Sequence, residues 1–460
     1  MTITDILLLA MAYRKVWFYK ILDKRTSLIA GALLFPVLLF SQGEKQDSLQ
    51  RKVTLIECVA YAQTHNPQLD NARLNEQIVE AAIRTRLSDW YPQLNFNYNL
   101  QHNFQLPTVN FNGNFVNTGT QNTSGLYLGA TQNIFNPDVL LASRSAHVVR
   151  QQASQSSQEQ KINIGAAVSK AYYDVILTTE QIGITEQDIQ RTQANLKDAF
   201  YQYQSGIVDK TDYKRATIAV NNASSQKVFY EQSLKGKFAY LKELMGYPLA
   251  ANLQLAYDTV QMANNIYLDT LYDVNYSGRI EIRLLETQKK LQAYNLEYYK
   301  WSFLPTMSAF GNYNLNFLNN QFSKLYSKSF PTSFAGIGLA FPIFQGGKRI
   351  QQIKQAQLQI SQVDNDIISL KNSINTEYTQ ALGNYKSNLK NYTAQRENVA
   401  LANEVYEVIR LQYRSGIKPY LDVITAEADV RTAQINLYNA LNQLLSSKID
   451  VQKALGLLDF

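Results

Sequence analysis

The chain has 460 residues, room for about three ordinary domains or one large repetitive one. Lys and Arg number 44 against 37 Asp and Glu; five of those bases and two of the acids precede residue 43, so residues 43–460 carry only about +4, thinly spread, which excludes a nucleic-acid footprint. With 45% apolar residues and a mean hydropathy of −0.27, a polytopic helical membrane protein is excluded, but a membrane β-barrel, whose alternating strands average to polar, is not.

Residues 1–42 read as an export signal. Lys20, Lys24 and Arg25 precede the apolar run 28–40, and Ser41-Gln42-Gly43 follow as a cleavage zone. The alternative is a single anchoring helix, for which about 13 apolar residues interrupted by Pro36 are short. Proline and glycine then divide the remainder into a first repeat over 43–250, a linker over 251–270 and a second repeat over 271–460. Each repeat reads helix, strand, strand, very long helix, helix.

In the first repeat the opening helix carries the only cysteine, Cys58, which excludes an intrachain disulfide and suits a small buried position. Residues 93–106 then alternate. Leu94, Phe96, Tyr98, Leu100, Phe104 and Leu106 share one parity with His102, and amides from Gln93 to Gln105 fill the other. A strand crossing an outer membrane needs about 9–11 residues, apolar toward lipid and polar toward a lumen. A second strand is expected over 124–135, with the polar interval 107–123 as an exposed outer loop. A long hairpin packed on helices is the alternative.

Asn136-Pro137-Asp138 predicts an N-cap with proline at the first helical position, and no proline recurs until Pro248. Helix is therefore expected over 137–204, which at ~1.5 Å per residue is on the order of 100 Å. Such helices lie against one another, as in a coiled coil or helical tube. The second repeat follows suit, with strands expected over 305–317 and 333–344, an outer loop over 318–332 and a long helix over 347–414. Segments 203–246 and 413–456 align without gaps at an offset of 210, so Tyr203-Gln204-Ser205-Gly206-Ile207 lies over Tyr413-Arg414-Ser415-Gly416-Ile417 and Asp212 over Asp422. Four strands cannot close a membrane barrel, whose smallest members have about eight. Open edges in lipid leave unpaired backbone groups, so sister chains must complete the sheet; two or three copies both give a plausible barrel.

Several residues carry this pattern further: Thr54-Leu55-Ile56-Glu57-Cys58 with Asn66-Pro67, Tyr91-Pro92 entering the first strand, Pro342-Ile343-Phe344-Gln345-Gly346-Gly347-Lys348-Arg349, and the two Ser-Gly-Ile turns, each with Asp six residues after Gly. In their order and duplication the sequence resembles the TolC family of outer-membrane efflux proteins across residues 50–458. The resemblance implies a mainly α fold with a membrane β-barrel portion, a trimeric 12-stranded barrel continued by a periplasmic α-helical tube. It implies a homotrimeric, passive exit duct in the outer membrane, surrounded by outer-membrane lipid. Its partners would be a periplasmic adaptor protein and an inner-membrane pump of RND or ABC type. It assigns Asp212 and Asp422 to a carboxylate ring at the periplasmic gate; from their nearness in sequence, Lys210 and Lys418 are expected to pair with these carboxylates and hold the entrance shut. Ser205, Gly206, Ile207, Ser415, Gly416 and Ile417 would be adaptor-docking tips. The family often has a further acid where this chain has Thr425, so the ring is expected to be less negative than usual.

The competing assignments are that each Asp simply caps a helix start, and that the whole chain is a secreted scaffold or adhesin with a soluble β cap. No cofactor, metal site or catalytic group is expected. His65, His102 and His147 are far apart with no ligand-spaced companion. Gly346-Gly347-Lys348 lacks the first glycine of a phosphate loop, since Pro342 stands there. No nucleophile-elbow pattern accompanies the serines, so the chain does not read as an enzyme.

Overall fold

A computed structural model of the chain describes residues 52–256, 262, 266–269 and 274–458. The expected export signal lies outside the described residues, as does part of the linker. Helix α1 (Leu55–His65) begins in a capping box, in which the Thr54 hydroxyl accepts from Glu57 N and the Glu57 carboxylate accepts from Thr54 N. Asn66 caps α2 (Pro67–Leu87), with proline at the first position where no intrahelical N–H is needed. The chain then enters β1 (Gln93–His102), a small hairpin of β2 (Thr108–Phe111) and β3 (Asn114–Asn117), and β4 (Asn122–Phe135). Asn136 caps α3 (Pro137–Gln204), a helix of 68 residues, which turns into α4 (Lys210–Met245). The second half repeats the order with α5 (Ile280–Trp301), β5 (Thr306–Asn319), β6 (Ser329–Ala340), α6 (Lys348–Arg414, 67 residues) and α7 (Tyr420–Ala454).

The four long strands form one antiparallel sheet in the order β1-β4-β5-β6. The strand limits depart most from those expected at β1 and β6, while β4 and β5 shift by only one or two residues. β1 stops at His102, because its partner β4 begins at the facing Asn122. The alternation through Phe104 and Leu106 therefore has no ladder to join, and Asn103 instead donates to Gln121 O and Thr120 O. The interval 107–123 is also not all loop, since it folds into the β2–β3 hairpin. β6 lies about four residues earlier than expected: Phe317 on β5 still offers a partner to Ser329, while Pro342 lacks the N–H to extend the other end. Pro331 is accommodated because β6 is an edge strand.

Three apolar clusters hold the helices together. Val53, Cys58, Leu69, Val168, Tyr172, Leu241 and Met245 join α1, α2, α3 and α4. Burial pushes the Cys58 thiol up to about 12, so it is an inert packing residue. Leu177, Tyr385, Leu441, Leu444 and Val451 join α3 to α6 and α7. Ala199, Ala216, Tyr406, Tyr420, Val423 and Val430 tie the two helical hairpins together near their turns. Gly246 ends α4 at φ +67°, and a Cβ there would strike the His65 carbonyl, so only glycine lets the helix end pack on α1.

Candidate functional site

Two regions stand out, one at each end of the long helices. The first is the sheet. Register places Leu94, Phe96, Tyr98 and Leu100 of β1 beside Ala130, Leu128, Leu126 and Ser124 of β4, then beside Gly311, Tyr313, Leu315 and Phe317 of β5. Ile337 and Leu339 of β6 continue the same face opposite Ala309 and Met307. The opposite face carries Asn95, Asn97 and Asn99, and Asn312, Asn314 and Asn316 two strands away, joined on β5 and β6 by Phe310, Phe330 and Phe334. Phe96 is 65% exposed and Ile337 70%, so the apolar face is uncovered over most of its length within one chain. At its outer end the turn Phe322–Ser327 lies on it, with Tyr326 hydrogen-bonded to Tyr98 and Ser124 and its ring against Phe317. Among the described residues, β1 has only β4 as a neighbour and β6 only β5, which leaves two open edges.

The second region is the pair of helix turns. At both, the chain reverses through a Schellman motif. Ile207 N donates to Gln202 O at 2.9 Å and Gly206 N to Tyr203 O at 3.0 Å; Ile417 N donates to Gln412 O and Gly416 N to Tyr413 O, each at 2.9 Å. Gly206 and Gly416 take φ of +72° and +74°, where a side chain would be strained. The residue after such a glycine usually packs back on its helix. Here Ile207 and Ile417 are 73% and 72% exposed, so both turns end in a free apolar side chain. Ser205 and Ser415 each turn their hydroxyl onto the carbonyl four residues back, of Tyr201 and Leu411.

Asp212 and Asp422 both stand half-buried in the first turn of the returning helix. Neither caps it. Asp209 is the cap of α4, accepting from Thr211 N, and α7 starts after Pro419 without a side-chain cap. Lys418 Nζ lies 3.0 Å from Asp422 Oδ2. Lys210 is exposed and makes no ion pair among the described residues, so the expected pairing is found at one turn and not the other. Tyr413 binds the two tips together by donating to Gln202 Oε1 at 2.6 Å. Burial, and after it the carboxylates of Asp212 and Asp198, push the Tyr413 phenol up.

About two to four helical turns above the tips lies a cluster that sequence reading passed over. Asp188 of α3 is fully buried and accepts from Arg431 of α7 at 2.8 Å and from Arg191 at 3.3 Å. Glu427, 4% exposed, accepts from Asn195 at 3.0 Å and lies 3.5 Å from Arg191 Nε, too far for a hydrogen bond. Burial, and next the neighbouring Asp188, raise the Glu427 carboxyl to about 7. The only local hints were the i,i+3 spacing of Asp188 and Arg191 and the i,i+4 spacing of Glu427 and Arg431, which also suit a solvated helix face. A groove of about 340 Å³ opens beside this cluster between α4 and α7, lined by Arg215, Ile218, Leu421 and Ile424.

His65, His102 and His147 are exposed and separate, and no group of three or more His, Cys, Asp or Glu among the described residues is placed to hold a metal ion. No helix among the described residues is long and apolar enough to cross a membrane. Gly347 is used as the N-cap of α6 at φ +79°.

Comparison with known proteins agrees with this geometry. The family model described as outer membrane efflux protein matches residues 59–247 and 288–457. The chain is similar to the outer membrane protein TolC of Escherichia coli K12, 21% identical over 448 residues, covering 93% of this chain and 87% of that one. It is similar to the alkaline protease secretion protein AprF of Pseudomonas aeruginosa, 22% identical over 316 residues and covering 66% and 62% of the two chains. Among solved structures, the open state of the Neisseria gonorrhoeae MtrE outer membrane channel superposes with a TM-score of 0.70 at 18% identity, covering 87% of this chain and 88% of that one.

Proposed function

The chain belongs to the outer membrane efflux protein family, and from that premise we propose that three copies close a 12-stranded barrel whose helices form one tube through the periplasm. The observation that carries this reading is a four-stranded sheet with one largely apolar face, uncovered over most of its length, and two open edges. Such a sheet is stable in lipid only when its edges are paired. Three copies supply 12 strands around a lumen lined by the asparagine face. The protein is an outer-membrane efflux channel with its helical part in the periplasm, which sets aside the scaffold alternative. Transport is passive, with energy supplied by a pump in the inner membrane and delivered through a periplasmic adaptor. Drugs, metals and secreted proteins all fit a duct of this kind.

In this reading the helix turns are the periplasmic entrance. Asp212 and Asp422 from three chains make up to six carboxylates near one axis, attracting cations and repelling one another. Lys418 offsets Asp422 when the entrance is shut. Ile207 and Ile417, free on glycine turns, give the adaptor an apolar surface with little side-chain bulk around it. Bilayer recording and an export assay on the same variants test both assignments. Changing Asp212→Asn together with Asp422→Asn is expected to lower the cation preference of the conductance. Gly206→Trp is expected to abolish export while insertion and conductance persist; normal export by that variant removes the turn from the docking surface.

A further inference from the structure

The small positive excess of residues 43–460 looks thinly spread along the sequence, but the fold gathers it. The antiparallel sheet brings four helix ends to one of its margins: the end of α2 and the start of α3 flank β1 and β4, and the end of α5 and the start of α6 flank β5 and β6. The 13 to 14 residues at each of these ends, 78–90, 137–150, 291–304 and 345–358, hold eight basic and four acidic side chains. Their sum of +4 equals the whole net charge of residues 43–460.

The arrangement at this margin repeats. Arg86 precedes Trp90 and the exposed Tyr91; Lys300 precedes the exposed Phe303 and Leu304; Lys348 follows the exposed Ile343 and Phe344. In each case an apolar or aromatic side chain lies between the cation and the sheet. Of the five other cations here, Lys354 stands nearly two turns further along α6, and the remaining four are already engaged. Arg84 and Arg150 share Glu80 at 2.9 and 2.6 Å, Arg144 lies 4.9 Å over the Trp301 ring, and Arg349 is buried against Phe303. Arg86, Lys300 and Lys348 are exposed and have no carboxylate partner among the described residues. Free cations just beyond an apolar belt face the depth at which phospholipid phosphates lie.

We propose that this margin is a collar that binds anionic phospholipid headgroups of the periplasmic leaflet, with Arg86, Lys300 and Lys348 as the phosphate-contacting cations. The proposal rests on the reading of the sheet as a membrane barrel. Continuity with the lipid-facing side chains places the collar at the leaflet boundary, and its charge selects phosphatidylglycerol over the zwitterionic phosphatidylcholine.

The test is native mass spectrometry of the full assembly released from nanodiscs of phosphatidylcholine mixed with phosphatidylglycerol, comparing the wild type with the triple variant Arg86→Gln, Lys300→Gln, Lys348→Gln. The wild type is expected to retain phosphatidylglycerol in preference to phosphatidylcholine. The triple variant should lose that preference by about 10²-fold, roughly fivefold for each cation near the headgroups. Equal retention of the two lipids by the wild type overturns the collar, as does undiminished preference in the variant. Displacement of the lipid by millimolar inorganic phosphate also overturns it, in favour of a free-phosphate site. If the wild type does not enter nanodiscs at all, the barrel reading itself has failed, an outcome distinct from insertion without lipid preference.

Discussion

Replacing Asp188 by alanine is expected to loosen the helical end of the protein by about 2–3 kcal/mol, for the loss of its charge-assisted hydrogen bonds to two arginines that are themselves partly exposed. Asp188 has no exposed surface and holds two arginines, one on its own helix and one on α7. Without it, Arg431 and Arg191 keep only Glu427, whose Oε1 already lacks a hydrogen bond. Hydrogen exchange across the lower ends of α3 and α7 measures the effect, as a loss of protection of roughly 30- to 150-fold, with amides near Leu444 unchanged. The same cluster makes the tip sensitive to pH. The Glu427 carboxyl sits at about 7 in the folded protein, above its ordinary value of 4.5. Between those limits the native state holds a proton that the unfolded chain has released. The associated stability is full below about pH 4.5 and is lost as pH rises through about 7, a fall of about 2–3 kcal/mol between roughly pH 5 and 8. Glu427→Gln is expected to flatten that dependence, and an unchanged pH profile would show that Glu427 is not its source.

Phe96→Arg is expected to block assembly in the outer membrane. The side chain is exposed on the apolar face, in the row shared with Leu128 and Tyr313. An arginine facing lipid near mid-depth costs about 2–4 kcal/mol, and three copies in one barrel multiply that to roughly 6–12 kcal/mol. The neighbouring Asn97→Arg puts the same charge on the opposite face, toward the lumen, and is expected to leave assembly intact while altering conductance. Heat-resistant oligomer in outer-membrane fractions is the measurement. Equal tolerance of both substitutions would mean that the apolar face does not meet lipid.

Some of this was written locally in the sequence and some was not. The long helices follow from an interval without proline between Pro137 and Pro248, and the lipid face from a strict alternation at Leu94, Phe96, Tyr98 and Leu100, because both depend on properties of neighbouring residues. Strand ends were harder. Leu106 continues the alternation but has no partner to pair with, whereas Ser329 to Thr332 show no clear alternation and pair fully with β5. The repeat pointed to equivalent turns at Gly206 and Gly416, and their backbone geometry is nearly the same. It did not reveal that Lys418 reaches Asp422 across one helical turn while Lys210 has no carboxylate to match. The buried cluster was hidden for another reason: Asp188 and Arg431 are separated by 243 positions, and only the packing of α3 on α7 brings them together. The basic collar was hidden likewise, since four segments far apart in the chain become one surface only when the sheet aligns them.

In the proposed assembly one chain supplies a third of a barrel. The most direct measurement is the mass of the detergent-extracted protein, read together with its conductance in a planar lipid bilayer. A complex of three chains that requires detergent and conducts ions is expected; a stable single chain, soluble in plain buffer and silent in bilayers, would mean that the sheet does not join sister chains in a membrane barrel.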